Sequence, residues 1–132
     1  MHPTLRFVLA VLAALVAGGV VAGLVEAAGH FFYPPPEEIT SDEICAYLST
    51  APAMVFVFPL MAWGVGAFVA GMMAKWFCRY SNKPAFIAGA IMLLMVLLNF
   101  FTIPCHPFWM QIAGVLLPVP MAMLGSRLIP TH

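Results

Sequence analysis

Four long apolar stretches, each of at least 18 residues, alternate with short, more polar connections along this chain. A helix rises 1.5 Å per residue, so stretches of this length can cross a hydrocarbon core of about 30 Å. We predict spanning helices at about 7–28, 52–74, 84–101 and 107–128. Because the connections are short, successive spans should run antiparallel. The fold class is therefore an all-α integral membrane protein, an antiparallel four-transmembrane-helix bundle forming a single domain over residues 1–132.

Proline and polar residues shape the first connection. Pro34–Pro36 predict an extended exit from the first span. Thr40 or Ser41 can cap a short helix that follows, with Asp42 and Glu43 in its first turn, where they complement the helix dipole. We therefore predict a short helix within an acidic loop.

Three further prolines lie inside the predicted spans. Pro59 predicts a kink in the second span, and Pro118 with Pro120 predict a bend in the fourth. The reason is that proline lacks an N–H and its ring clashes with the carbonyl one turn earlier.

Fixed charges divide between the two ends of the spans. The five bases lie at alternate ends of the stretches, at Arg6, Lys75, Arg79, Lys83 and Arg127. Four of the five acids crowd the first connection, at Glu37, Glu38, Asp42 and Glu43. Basic residues are retained on the cytoplasmic side during insertion. Both termini are therefore predicted to be cytoplasmic and the acidic loop extracytoplasmic, in a bacterial inner (plasma) membrane.

Composition supports a membrane location and excludes other classes. The chain is 64% hydrophobic and 8% charged, with a mean hydropathy of +1.03, whereas a soluble domain carries about a quarter charged residues. The first partner is therefore the lipid bilayer. The few, scattered bases predict no nucleic-acid binding.

The three cysteines fall in different connections. On the predicted topology Cys45 and Cys105 share the oxidising side and Cys78 lies inside. The first two can pair, but a sequence does not supply the distance between them. The chain contains no CxxC, so the motif for thiol–disulfide exchange is absent.

Small residues recur at spacings of four in the first two spans, as Gly19 with Gly23 and Gly66 with Ala70, and Gly71 follows. Such spacing lets helix backbones approach closely in lipid. The contact is either packing within the chain or an interface in a homo-oligomer or a larger membrane complex.

The best candidate site lies near the outer ends of three spans. Glu26, Asn99 and Gln111 come from different spans but should lie at similar depth. His30 shares a helical face with Glu26, and His106 lies in the turn above the other two. We predict that Glu26, His30, Asn99 and His106 converge at the bundle mouth, with Gln111 on the rim.

Three uses of this cluster remain open. It can bind a ligand or a metal ion, with Glu26, His30, Cys105 and His106 as candidate metal ligands. The Glu26–His30 pair can move a proton. Alternatively, Glu26 accepts hydrogen bonds from Asn99, Gln111 or His30 in a structural network.

The favoured function is binding of a small molecule or ion at the extracytoplasmic mouth, with the protein acting as a transporter component. One alternative is a non-catalytic accessory or assembly subunit of a larger membrane complex. A second is a small membrane enzyme that uses the Glu/His proton-transfer pair. The sequence identifies no cofactor.

Overall fold

The structure is a computed structural model, and it describes residues 2–37 and 39–131. Glu38 of the predicted acidic loop lies outside the described residues. The helices are α1 (Pro3–Phe32), α2 (Ser41–Thr50), α3 (Met54–Phe77), α4 (Lys83–Thr102), α5 (Phe108–Leu116) and α6 (Pro118–Arg127). The described residues contain no strand, which confirms the all-α class.

Four helical segments are long and apolar enough to cross a membrane: α1, α3, α4 and the α5–α6 pair, which together cover Phe108–Arg127. This confirms the four predicted spans. The first helix begins earlier than predicted, because Pro3 suits a first helical turn and the His2 Nδ1 atom accepts a hydrogen bond from the Thr4 N–H at 3.2 Å. The short α2 is present in the first connection, with Thr40 at its N-cap position.

The fourth span is broken in the region predicted from its prolines. α5 ends at Leu116 and α6 begins at Pro118, so the helix is interrupted at Leu117. In contrast, α3 continues through Pro59 as one helix. The kink predicted there stays a prediction.

Neighbouring spans run antiparallel. The Arg6 Nε atom at the start of α1 donates to the carbonyl of Phe77 at the end of α3, at 2.5 Å. At the other end of the pair, a Cβ added to Gly29 would lie 2.7 Å from that of Phe58. We call the end with both chain termini and the 78–82 connection the basic end, since all five bases lie near it. The opposite end, with the 33–53 connection and the 103–107 turn, is the acidic end.

Helix α3 is central and contacts α1, α4, α5 and α6. Toward the basic end the core consists mainly of alanines, including Ala70, Ala88 and Ala122. Toward the acidic end the buried side chains are larger, among them Phe56, Trp63 and Met110. Small side chains let helices approach closely at the basic end, whereas larger side chains fill the space between the helices at the acidic end.

The predicted glycine contacts need correction. Gly19 and Gly23 are exposed, and a Cβ at either would meet nothing within 4 Å. Gly66, Ala70 and Gly71 are buried inside the chain, so they are unavailable to another subunit. At mid-span, the glycine of α1 that packs on α3 is Gly18, where an added Cβ would lie 2.9 Å from that of Ala70. One residue along a helix turns the face by about 100°, which separates Gly18 from Gly19.

Candidate functional site

A cavity of about 300 Å³ lies at the acidic end of the bundle. Its walls come from α1, α2, α3, α4, α5 and the turn between α4 and α5. The polar side chains on these walls are those of Glu26, His30, Tyr33, Tyr47, Asn99 and His106. Exposed His30 and Pro35 are among the lining residues, so the cavity reaches the protein surface.

Four of the five predicted site residues line this one cavity: Glu26, His30, Asn99 and His106. Gln111 does not line it. Its Nε2 atom donates to the backbone carbonyl of His106 at 3.0 Å, which ties the first turn of α5 to the turn that carries the imidazole. Gln111 thus lies beside the cavity and supports one of its walls.

Helical spacing explains how Glu26 reaches the cavity. Ala14 and Gly18 are buried against other helices, and Glu26 and His30 continue the same steps of four along α1. Residues four apart share a face, so the packed face at mid-span becomes the cavity face at the helix end. Gly19 and Gly23, whose spacing predicted a close helix contact, lie one residue away from this face.

The polar groups in the cavity are not bonded to one another. Among the described residues, no side-chain hydrogen bond links Glu26, His30 or Asn99 to another protein group. Every buried side-chain nitrogen or oxygen of the described residues has a hydrogen-bond partner. Since the polar atoms of Glu26 and Asn99 have none, they are not buried and must reach open space. The structural network predicted as one alternative is therefore not formed, and Gln111 bonds to the backbone at His106 instead.

His106 is held in a defined orientation. Its Nδ1 lies 2.6 Å from the carbonyl oxygen of Ile103, and a carbonyl only accepts, so Nδ1 carries the proton. The ring packs edge-on against Phe100, with centroids 5.0 Å apart. Burial lowers the pKa of His106 from its ordinary value, and the bond to Ile103 opposes that shift in part. The neutral ring leaves Nε2 free to accept a hydrogen bond.

Aromatic side chains form much of the remaining wall, and none of them was predicted from the sequence to belong to the site. Phe56 packs edge-on against Trp109 at 6.2 Å, and Trp63 packs edge-on against Phe100 at 5.6 Å. Trp63 was recognisable only as a large side chain at mid-span. These contacts hold the rings in place, so the cavity has firm apolar walls around a few polar groups.

Helix α2 covers one side of the cavity and is covalently held there. Ile44, Tyr47 and Leu48 of α2 line the cavity. Cys45, between them, forms a disulfide with Cys105, with Cα atoms 5.2 Å apart. The pairing that the sequence left open is therefore formed, and it joins α2 to the residue before His106.

Three of the four metal-ligand candidates, Glu26, His30 and His106, line the same cavity, but among the described residues they do not form a metal site. Cys105 is consumed by the disulfide, so its thiolate is not available as a ligand. In the part of the chain that the structure describes, no group of three or more His, Cys, Asp or Glu side chains could hold a metal ion. The predicted metal centre of Glu26, His30, Cys105 and His106 is therefore not formed, because lining one cavity does not bring side chains within ligating distance of a single ion.

No family model, curated protein or solved structure matches this chain significantly.

Proposed function

We propose that this chain is a multi-pass membrane protein that binds a small molecule in the cavity at its acidic end. The observation that carries the proposal is the meeting of Glu26, His30, Asn99 and His106 on the walls of one cavity. The polar atoms of Glu26 and Asn99 have no hydrogen-bond partner among the described residues and reach the open space of the cavity, so they can pair with a bound molecule. A bound molecule supplies those missing interactions.

The size and lining favour a small organic molecule over a bare ion. Small-molecule sites are typically clefts of about 300–1,000 Å³, mostly apolar with a few placed polar groups. The present cavity, at about 300 Å³, lies at the small end of that range. A compact ligand of roughly one ring fits this volume.

The charge distribution supports a cavity that opens outside the cell. All five bases lie near the basic end, and short basic connections stay in the cytoplasm. On this proposal both termini are cytoplasmic, α2 and the cavity face outward, and the host membrane is a bacterial plasma membrane. The protein then captures its ligand from the external medium, as a binding or transporter component would.

Replacing Glu26 tests the proposal. Glu26→Gln keeps the shape of the side chain and removes its charge, so we expect an unchanged unfolding midpoint and loss of bound ligand. Native mass spectrometry of gently purified protein should show a non-covalent adduct in the wild type that Glu26→Gln lacks. Glu43→Gln is the matched control, because Glu43 is exposed on α2 and does not line the cavity.

Glu26→Leu separates binding from a structural role. Since Glu26 has no hydrogen bond within the described protein, Glu26→Leu should also leave the unfolding midpoint unchanged. An adduct that survives Glu26→Gln, or a wild-type protein without any adduct, would contradict the proposed function.

One observation favours a second candidate, an assembly subunit of a larger membrane complex. Gly19 and Gly23 form a flat strip on the exposed face of α1, and no described side chain covers it. Small residues four apart are typical of contacts between membrane helices. The same native mass spectra distinguish the two functions, because an assembly subunit appears as a dimer or larger species and a binding protein as a liganded monomer.

A further inference from the structure

We infer that the ligand of this cavity is a small organic cation, an amine or quaternary ammonium, whose positive group lies beside Glu26 among aromatic rings. This inference rests on the proposed function and specifies its ligand class. Three independent features carry it: the charge inside the cavity, the charge around its mouth, and the chemistry of its walls.

Inside the cavity, Glu26 is the one fixed charge among the described residues. Those that line it include no lysine or arginine. Arg6, Arg79 and Arg127 lie at the basic end of the bundle, the length of a span away. A carboxylate that faces the open space of a largely apolar cavity, without a cationic partner from the protein, can pair with a positively charged ligand.

The charged side chains around the mouth of the cavity are also negative. Glu37, Asp42 and Glu43 lie on the connection that covers the acidic end and are exposed. Clustered charges of one sign around a low-dielectric cleft raise the local concentration of oppositely charged solutes. An anionic ligand would meet repulsion at the mouth and again at Glu26.

The walls select an organic cation over a metal ion. Tyr33, Tyr47, Phe56, Phe58 and Trp63 all line the cavity. Aromatic faces attract ammonium groups through the ring quadrupole, and cages of such rings recognise quaternary ammonium ligands. A metal ion needs several ligating atoms, and the described residues offer no group of three candidate ligands.

Two further groups can accept hydrogen bonds from an N–H of the ligand. The Asn99 amide oxygen lacks a protein donor among the described residues, and the Nε2 of neutral His106 is an acceptor. His30 and the two tyrosine hydroxyls are the other titratable groups on the walls. A primary amine can therefore be oriented by Glu26 together with a neutral acceptor.

Three ligands of one shape and different charge test this inference: benzylamine, benzyl alcohol and benzoate. Each fits within about 300 Å³. Binding is measured by ligand-observed NMR with the full chain in nanodiscs. We expect benzylamine to bind about tenfold more tightly than benzyl alcohol, and benzoate not to bind.

Matched variants locate the effect. Glu26→Gln should remove the preference for benzylamine over benzyl alcohol, whereas Asn82→Ala, at an exposed position of the basic end, should retain it. Phe58→Leu, which keeps the charge and removes one ring, should weaken benzylamine more than benzyl alcohol. Because benzylamine also partitions into lipid, only binding lost in Glu26→Gln counts as binding in the cavity.

The outcomes separate this inference from the proposed function. Equal binding of benzyl alcohol, or preference for benzoate, would overturn the cationic ligand and leave a small-molecule site in place. If none of the three ligands binds, but the wild type carries a native adduct that Glu26→Gln lacks, the cationic ligand is overturned and the small-molecule site is retained. Failure of all three together with no native adduct would overturn both.

Discussion

Cys45→Ser should destabilise the protein by about 4 kcal/mol, the loop-closure entropy for a disulfide of this span. The disulfide joins residues 60 apart in sequence, so its loss frees a large loop in the unfolded chain. The same change should release α2 from the cavity. Among the described residues, no Cα atom of α2 comes within 8 Å of a Cα atom in another helix. Helix α2 is therefore held in place by the disulfide and by the side chains of Ile44, Tyr47 and Leu48.

Two measurements check this prediction. The unfolding midpoint of Cys45→Ser should be lower than that of the wild type. Reductant should lower the midpoint of the wild type but leave that of Cys45→Ser unchanged. Hydrogen exchange should rise within α2 while α3 and α4 stay protected. Cys78→Ala is the control: Cys78 is a free, buried thiol, so that variant should keep its sensitivity to reductant. Unchanged exchange in α2 would show that packing alone holds the helix.

Gly71→Ala should cost about 3 kcal/mol of stability, the upper part of the usual range for overpacking a core. A Cβ at Gly71 would run into the backbone carbonyl of Ala122 in α6, and backbone cannot swing aside as a long side chain can. Helices α3 and α6 must then separate, which disturbs the tight alanine core at the basic end. Thermal unfolding in detergent, followed by circular dichroism, measures the loss.

Gly19→Ala and Gly23→Ala provide the matched controls. Neither added Cβ meets an atom within 4 Å, so both variants should be neutral or more stable by about 0.5–1 kcal/mol, as alanine is favoured over glycine in a helix. Equal losses for Gly71→Ala and Gly19→Ala would contradict the close approach of α3 and α6. A loss confined to Gly19→Ala and Gly23→Ala would instead point to an interface on the outer face of α1.

Position along the bundle could be predicted from the sequence because it depends only on the rise per residue. The four spans follow from that rise, and so does the common level of Glu26, Asn99 and Gln111. The interruption beside Pro118 was also predictable, since its cause is local. These features need no knowledge of which helix contacts which.

Direction around each helix was less predictable. A difference of one residue rotates a side chain by about 100°, so Gly18 packs on α3 while Gly19 faces outward. Nor could the sequence predict whether side chains that line one cavity come close enough to share a metal ion, and Glu26, His30 and His106 do not. Periodicity was weak evidence here because nearly every position in the spans is apolar.

Contacts between distant segments could be predicted only in part. The Cys45–Cys105 pairing depends on where α2 lies over the bundle, and 60 residues separate the two cysteines. The aromatic walls have the same origin, because Phe56 and Trp63 look like ordinary core residues of an apolar span. Only the packing of α3 beside α1 and α5 makes them part of a cavity.

The central claim is that the cavity at the acidic end opens to the outside of the cell and admits an organic cation. Single cysteines test it in a Cys78→Ala background, where the paired Cys45 and Cys105 do not react. His30→Cys, on the cavity wall, and Asn82→Cys, exposed at the basic end, are treated with a membrane-impermeant maleimide in intact cells. We expect His30→Cys to be labelled in intact cells, and benzylamine to slow that labelling. We expect Asn82→Cys to be labelled only after the cells are permeabilised. Labelling of Asn82→Cys in intact cells, with His30→Cys protected until the cells are opened, would contradict the claim.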